Sequence, residues 1–262
     1  MIDGVKANFY PGMEHRFVLK LTFPERIPAG GDLINDTDPQ ETDKSPLIAS
    51  GENKESEKVA GIINKFITKI AGVIKDEERA NYTLLRGISV YPHLDSYEEA
   101  YGLKAGCIAT YPMYRGVAKL VGMDVLEVAD NSIASEVDTL KREINNYDFI
   151  YFHVKKTDSY GEDGNFDAKA GVIEEFDSLV PEIMSLNPDV FVVTGDHSTP
   201  STMMAHSWHP VPIMISSAYP RLGTGSGFGE DACSNGSLGI IKAIEIMPLL
   251  LSHADRLKKF GA

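Results

Sequence analysis

Asp189-Val190-Phe191-Val192-Val193-Thr194-Gly195-Asp196-His197-Ser198-Thr199-Pro200 is the stretch on which the fold turns. The run 189–193 is short, apolar and rich in valine, the pattern of a fully buried strand. Thr194-Gly195 breaks it, which leaves Asp196 and His197 on the loop at the strand's carboxyl end. In an open α/β sheet, ligands bind at that edge. An adjacent carboxylate and imidazole on a rigid strand end offer oxygen and nitrogen donors to a divalent metal. An aspartate capping a turn beside a surface histidine would give the same dipeptide. The rest of the chain decides between the two.

Working outward, Phe149–Val154 reads as a second buried strand, followed by Lys155-Lys156-Thr157-Asp158-Ser159-Tyr160-Gly161-Glu162-Asp163-Gly164. Asp158 thus also falls at a strand's carboxyl end, with Glu162 four residues on across a glycine turn. His206 and His209 follow Asp196-His197 closely. Asp158, Glu162, Asp196, His197 and His206 are therefore expected at one sheet edge, a donor set for one or two divalent ions. His209, between Trp208 and Pro210, reads as part of a packing turn.

The flanking pattern is strand–helix–strand. Strands are expected at 16–23, 82–87, 106–110, 125–128, 149–154, 189–193 and 211–216. Helices are expected over 115–121, 132–146, 167–186 and 236–251. Val59, Ile62, Ile63, Phe66, Ile67, Ile70, Val73 and Ile74 recur at helical spacing and mark a helix over 57–75 with one core-facing stripe. Residues 32–57 are polar and turn-rich, a long surface loop. A Gly-rich loop covers 222–237; Gly223, Gly225, Gly227 and Gly229 do not match the dinucleotide-binding fingerprint. Alternation of this kind implies a mostly parallel sheet covered on both faces.

The 262 residues carry a net charge of −13 and no basic run, which argues against nucleic acid as a partner. Two cysteines, Cys107 and Cys233, stand far apart, excluding a disulfide framework and fitting a reducing cytoplasm. No apolar run reaches the roughly 20 residues that span a bilayer. The amino terminus has no apolar signal region. Oligomerisation is left open.

Asp158-x-x-Gly-Glu162-x-Gly, Thr194-Gly-Asp-His-Ser-Thr-Pro200 and His206-Ser-Trp-His-Pro-Val-Pro212 together resemble the metal-binding signatures of the archaeal-type cofactor-independent phosphoglycerate mutases, within the alkaline phosphatase superfamily. The segment Cys107–Met123 and the pair His15-Arg16 are similar to that family too. The resemblance implies an α/β fold: an alkaline phosphatase-like, mostly parallel sheet flanked by helices, with a smaller α/β inserted lobe. Residues 1–95 would be the lobe and 96–262 the C-terminal part of the metal-binding domain. It implies two divalent ions, manganese or zinc with magnesium as a third candidate. Asp158, Glu162 and His206 would hold one; Asp196 and His197, with an aspartate and a nucleophilic serine from an N-terminal segment, the other. The substrate would be a small phosphorylated molecule, phosphoglycerate, bound by Arg16, Arg86 and Arg115, with Lys104 and Asp38 as catalytic residues.

The chain departs from the family pattern at two places. Glu162 stands where the family has histidine, which shifts preference from zinc toward manganese or magnesium. The strand ending in Asp and the serine nucleophile have no counterpart: Asp3-Gly4 is a weak imitation, and Ser159, Ser198 and Ser207 lack a base partner. The expectation is a C-terminal portion of a mutase, inactive alone. The same donor set also serves other metal-dependent phosphoesterases, phosphonate hydrolases and phosphotransferases, or a non-catalytic metal-binding fragment.

Overall fold

A computed structural model describes residues 1–12, 15–219 and 227–257. The chain divides into two compact units, Met1–His93 and Leu94–Ala262. The division lies two residues before the 95/96 boundary read from the sequence.

In the first unit, strands β1 (Lys6–Pro11) and β2 (Phe17–Thr22) pair antiparallel, with Lys6 opposite Thr22 and Pro11 opposite Phe17. In β2 the side chains of Phe17, Leu19 and Leu21 turn inward and their neighbours outward, the two-residue period of a half-buried strand. Helix α1 (Lys54–Ile74) starts three residues earlier than the apolar stripe suggests, because Asn53 caps it. The Asn53 side chain accepts from the Glu55 and Ser56 amides, and Ser56 Oγ accepts from the Asn53 amide, a reciprocal capping box. Val59, Ala60, Ile63, Phe66 and Ile67 then bury one helix face with Ile2, Ala49 and Leu85.

One expectation for this unit is corrected. Residues 82–87 form no strand; Leu85 instead exchanges hydrogen bonds with Thr37, whose amide donates to the Leu85 carbonyl over 2.8 Å and whose Oγ1 accepts from the Leu85 amide over 2.7 Å. The segment 32–53 has no helix or strand and is a largely exposed loop, as expected, but it is anchored from within. Thr37 is wholly buried, and the Asn64 side chain pairs both backbone groups of Ala49. A polar sequence hides such anchoring because the stabilising groups are amides and hydroxyls rather than apolar side chains.

The second unit is built on a parallel sheet of order β4–β3–β5: β3 (Ala105–Ala109), β4 (Asp124–Val125) and β5 (Phe149–His153). Parallel neighbours require crossovers, supplied by α3 (Pro112–Leu120) between β3 and β4 and by α4 (Ile133–Glu143) between β4 and β5. Every residue of β3 is buried. Ile108 faces a core with Val137 and Leu140 of α4 and Val172 and Ile183 of α6 (Phe166–Met184). Ala105, Cys107 and Ala109 face the other way, against Ala118 of α3 and Met123. Helices thus cover both faces of the sheet. Before it stands a short helix, α2 (Tyr97–Tyr101), closed by Gly102 in the left-handed region at φ 67°.

Strand β6 (Val190–Thr194) differs from its expected setting. It pairs antiparallel with β7 (Ile213–Ser217), and among the described residues it has no hydrogen bonds to β5. One edge of β5 and one edge of β6 are therefore unpaired among those residues. Phe191 of β6 still joins the core that holds Phe152 of β5. The stretch after β5 is a helix, α5 (Lys156–Glu162), rather than a turn. It is followed, after β7, by α7 (Glu230–Ser234) and α8 (Ile246–His253). Residues 222–226 of the Gly-rich loop lie outside the described residues.

Candidate metal centre

Asp158 lies in the first turn of α5, directly after β5. Because α5 is helical, Glu162 falls one turn later on the same face as Asp158. Asp196 and His197 follow β6. His206 returns to the same place because the chain after Pro200 doubles back: Ser198 and Ser207 form an antiparallel bridge, with the Ser207 amide donating to the Ser198 carbonyl over 2.8 Å.

The donors converge. Ligand atoms of Asp158, His197 and His206 lie within 4.8 Å of one another. His206 Nε2 is 3.5 Å from Asp158 Oδ1 and 3.5 Å from Glu162 Oε1. His197 Nδ1 is 3.8 Å from Asp158 Oδ1, and its Nε2 is 3.4 Å from Asp196 Oδ2. The two imidazoles face each other at 3.9 Å between centroids. Two protonated imidazoles would repel at that separation, whereas two neutral ones present lone pairs to a common cation.

Supporting side chains fix this set. Thr199 Oγ1 donates to Asp158 Oδ1 over 2.7 Å and lies 3.0 Å from His197 Nδ1. Lys169 of α6 holds the Thr199 carbonyl over 2.6 Å. Tyr114 of α3 donates its hydroxyl to Asp196 Oδ2 over 2.8 Å, while its ring stacks on His153 at 3.6 Å. The Lys155 ammonium contacts Asp158 Oδ2. Burial alone would raise the Asp158 carboxyl, but hydrogen bonds from Lys155 and Thr199 outweigh it and hold the group below the usual carboxylate range. Burial, then the bond to Asp196, pushes the Tyr114 phenol up, so it stays a donor. Burial lowers His153 despite nearby Asp196.

Three carboxylates and two imidazoles on fixed elements fit a divalent cation of the zinc or manganese kind. Such an ion would supply Lewis acidity toward a phosphoryl oxygen. His209 is engaged elsewhere, with Nδ1 2.8 Å from Ser207 Oγ and its ring stacked on Trp208.

The proposed substrate residues are differently placed. Lys104 precedes β3 at the amino-terminal edge of the sheet, opposite the edge where Ala109 pairs with His153; its ammonium lies 4.6 Å from the Tyr147 ring centroid. The sequence could not give this, because either end of an unassigned strand can carry a lysine. Arg115, next to Tyr114 on α3, pairs with Glu127 at 3.1 Å. Arg86 and Asp38 belong to the first unit, where Arg86 Nη1 is 3.9 Å from Asp38 Oδ2 and Nη2 donates to Gln40 over 3.1 Å. Arg16, in the same unit, accepts the Gly12 amide on its carbonyl over 2.8 Å. Tyr114, Lys155 and Thr199 were not singled out from the sequence. The signal for two of them was present: Lys155 is three residues before Asp158, and Thr199 two after His197.

The sheet and this donor set define a candidate metal-binding site at a strand edge, and comparison with known proteins gives its family. Residues 26–253 match the family model described as the metalloenzyme superfamily, and the chain belongs to that family. A protein of Aquifex aeolicus named as a probable 2,3-bisphosphoglycerate-independent phosphoglycerate mutase is 52% identical over 261 residues, covering all of this chain and 64% of the relative. The chain thus spans somewhat less than two thirds of that relative. A Pyrococcus horikoshii protein of known structure superposes with a TM-score of 0.72 at 33% identity, over 80% of this chain and 60% of the other. A cofactor-independent phosphoglycerate mutase from Thermoplasma acidophilum gives a TM-score of 0.67 over 97% of this chain and 66% of its own, and at 22% identity it bears on the fold.

Proposed function

We propose that this chain carries the metal-binding part of a 2,3-bisphosphoglycerate-independent phosphoglycerate mutase, which interconverts 3-phosphoglycerate and 2-phosphoglycerate by phosphoryl transfer through an enzyme serine. The observation that carries the proposal is the convergence of Asp158, Glu162 and His206 beside Asp196 and His197, at the edge where α/β sheets bind ligands. The relatives' names support the substrate. Manganese is the favoured ion, because Glu162 adds oxygen character to the site.

In this reading Asp158, Glu162 and His206 hold one ion, and Asp196 and His197 part of a second. Thr199 and Tyr114 keep the carboxylates aimed. The serine and the remaining aspartate come from the third of the mutase that this chain does not span. Arg16 and Arg86 bind the substrate's phosphate and carboxylate, with Arg115 after release from Glu127, and Asp38 moves a proton at the sugar-acid hydroxyl. Lys104 takes no part in this reading, given its place at the opposite edge of its sheet.

The test is direct. Manganese titration of the chain and of His206→Ala should give at least a tenfold weaker affinity in the variant. Equal affinities would remove His206 from the site. The 262-residue chain alone should show no mutase turnover, and addition of the segment it lacks relative to the A. aeolicus protein, fused or separate, should produce it.

A further inference from the structure

The two oxygens of Asp158 have different company. Oδ1 faces Thr199, His197 and His206, while Oδ2 is taken by the Lys155 ammonium. Both partners are largely enclosed: the Lys155 side chain is 21% exposed and that of Asp158 13%. Lys155 stands at the start of α5, one turn before Asp158, so the helix fixes the distance between their backbones. Its ammonium also lies 5.5 Å from the centroid of Tyr111, a second favourable seat for a cation.

An ammonium and a divalent ion compete for one carboxylate, since both need its negative charge and each repels the other. We propose that Lys155 is an exchange cation. It neutralises Asp158 in the metal-free chain, and when a divalent ion engages Asp158 it swings away and becomes the ammonium that holds a phosphoryl anion at this edge. The ligand chemistry rests on the function proposed above. Neighbouring cations are engaged elsewhere: Lys169 holds the Thr199 carbonyl, Lys156 lies 5.8 Å from the Tyr160 ring centroid, and Arg115 pairs with Glu127. Lys155 is the one whose partner is lost when the metal arrives. A four-carbon stem with a compact charge suits a group that must move between two anions.

The experiment compares wild type, Lys155→Met and Lys155→Gln by manganese titration, and then titrates each manganese-loaded protein with inorganic phosphate. With the competing ammonium gone, both variants should bind manganese about tenfold more tightly and phosphate at least tenfold more weakly. In wild type, amine acylation mapped by mass spectrometry should modify Lys155 several-fold faster with manganese than without. This arm decides the matter if neither variant folds. Unchanged or weaker manganese affinity, unchanged phosphate affinity, or Lys155 reactivity that manganese leaves alone would overturn the proposal. If folded wild type bound no manganese, the metal reading would fall as well. If wild type binds manganese and the variants behave like it, only the role of Lys155 falls.

Discussion

Thr199 donates its hydroxyl to Asp158 Oδ1 over 2.7 Å, tying the loop after β6 to the helix after β5. Those two strands share no hydrogen bonds among the described residues. The threonine is therefore a principal tie between the two halves of the donor set. Its hydroxyl also lies 3.0 Å from His197 Nδ1, which fixes the orientation of that ring.

Thr199→Val keeps the shape and removes this link. Residues that orient metal ligands typically change affinity by 10- to 100-fold. Manganese binding should weaken by about that factor, while the thermal midpoint of the metal-free chain falls by only a few degrees. Isothermal titration and a melting curve measure both.

Tyr114→Phe removes the 2.8 Å hydrogen bond to Asp196 and keeps the ring stacked on His153. Affinity for a single ion at Asp158, Glu162 and His206 should be little changed. Occupancy of a second ion, counted by metal analysis at saturating manganese, should fall. Identical metal stoichiometry would show that Asp196 needs no such support.

Gly161 has no room for a side chain. A Cβ there would lie 2.4 Å from the Thr199 carbonyl oxygen, which Lys169 also holds. Gly161→Ala should destabilise the chain by about 1–3 kcal/mol and weaken manganese binding with it. Gly171, in α6, would meet nothing within 4 Å. Gly171→Ala should therefore stabilise by roughly 0.5–1 kcal/mol, and chemical denaturation would read the opposite signs.

Glu136 of α4 is 3% exposed, and its Oε1 has no hydrogen-bond partner. Burial pushes its carboxyl from an ordinary 4.5 up to about 8. Below pH 4.5 the folded and unfolded chains both carry the proton. Between pH 4.5 and about 8 only the folded chain keeps it, so stability falls as pH rises across that window. Glu136→Gln should remove this slope and stabilise the chain by a few kcal/mol, an order-of-magnitude figure, at pH 8. Urea denaturation at pH 5 and pH 8 gives the comparison.

Periodicity made much of this legible. The apolar stripe of α1 and the valine-rich run of β6 each reflect burial of one face or of a whole strand, and burial leaves a pattern in sequence. Asp158 and Asp196 were placed because each follows such a run. Strand pairing left no mark: β6 reads the same whether its neighbour runs parallel or, as with β7, antiparallel. Helix α5 was hidden because Ser159 and Gly161 are poor helix formers. Its glycine answers to the Thr199 carbonyl, a contact 38 residues away in sequence. Tyr114 was missed for the same reason, since its partner Asp196 is distant along the chain.

The bare edges of β5 and β6 bear on how this chain behaves as a solute. Both strands are apolar and only half buried, and each presents a row of backbone donors and acceptors with no strand beside it among the described residues. Such a row accepts any extended segment, including one from another copy. A net charge of −13 keeps copies apart in dilute buffer. That repulsion reaches only about 10 Å at 0.1 M salt and about 3 Å at 1 M. Solubility of the chain should therefore fall as ionic strength rises, and a short charged strand seated on either edge would protect it better than any change of buffer.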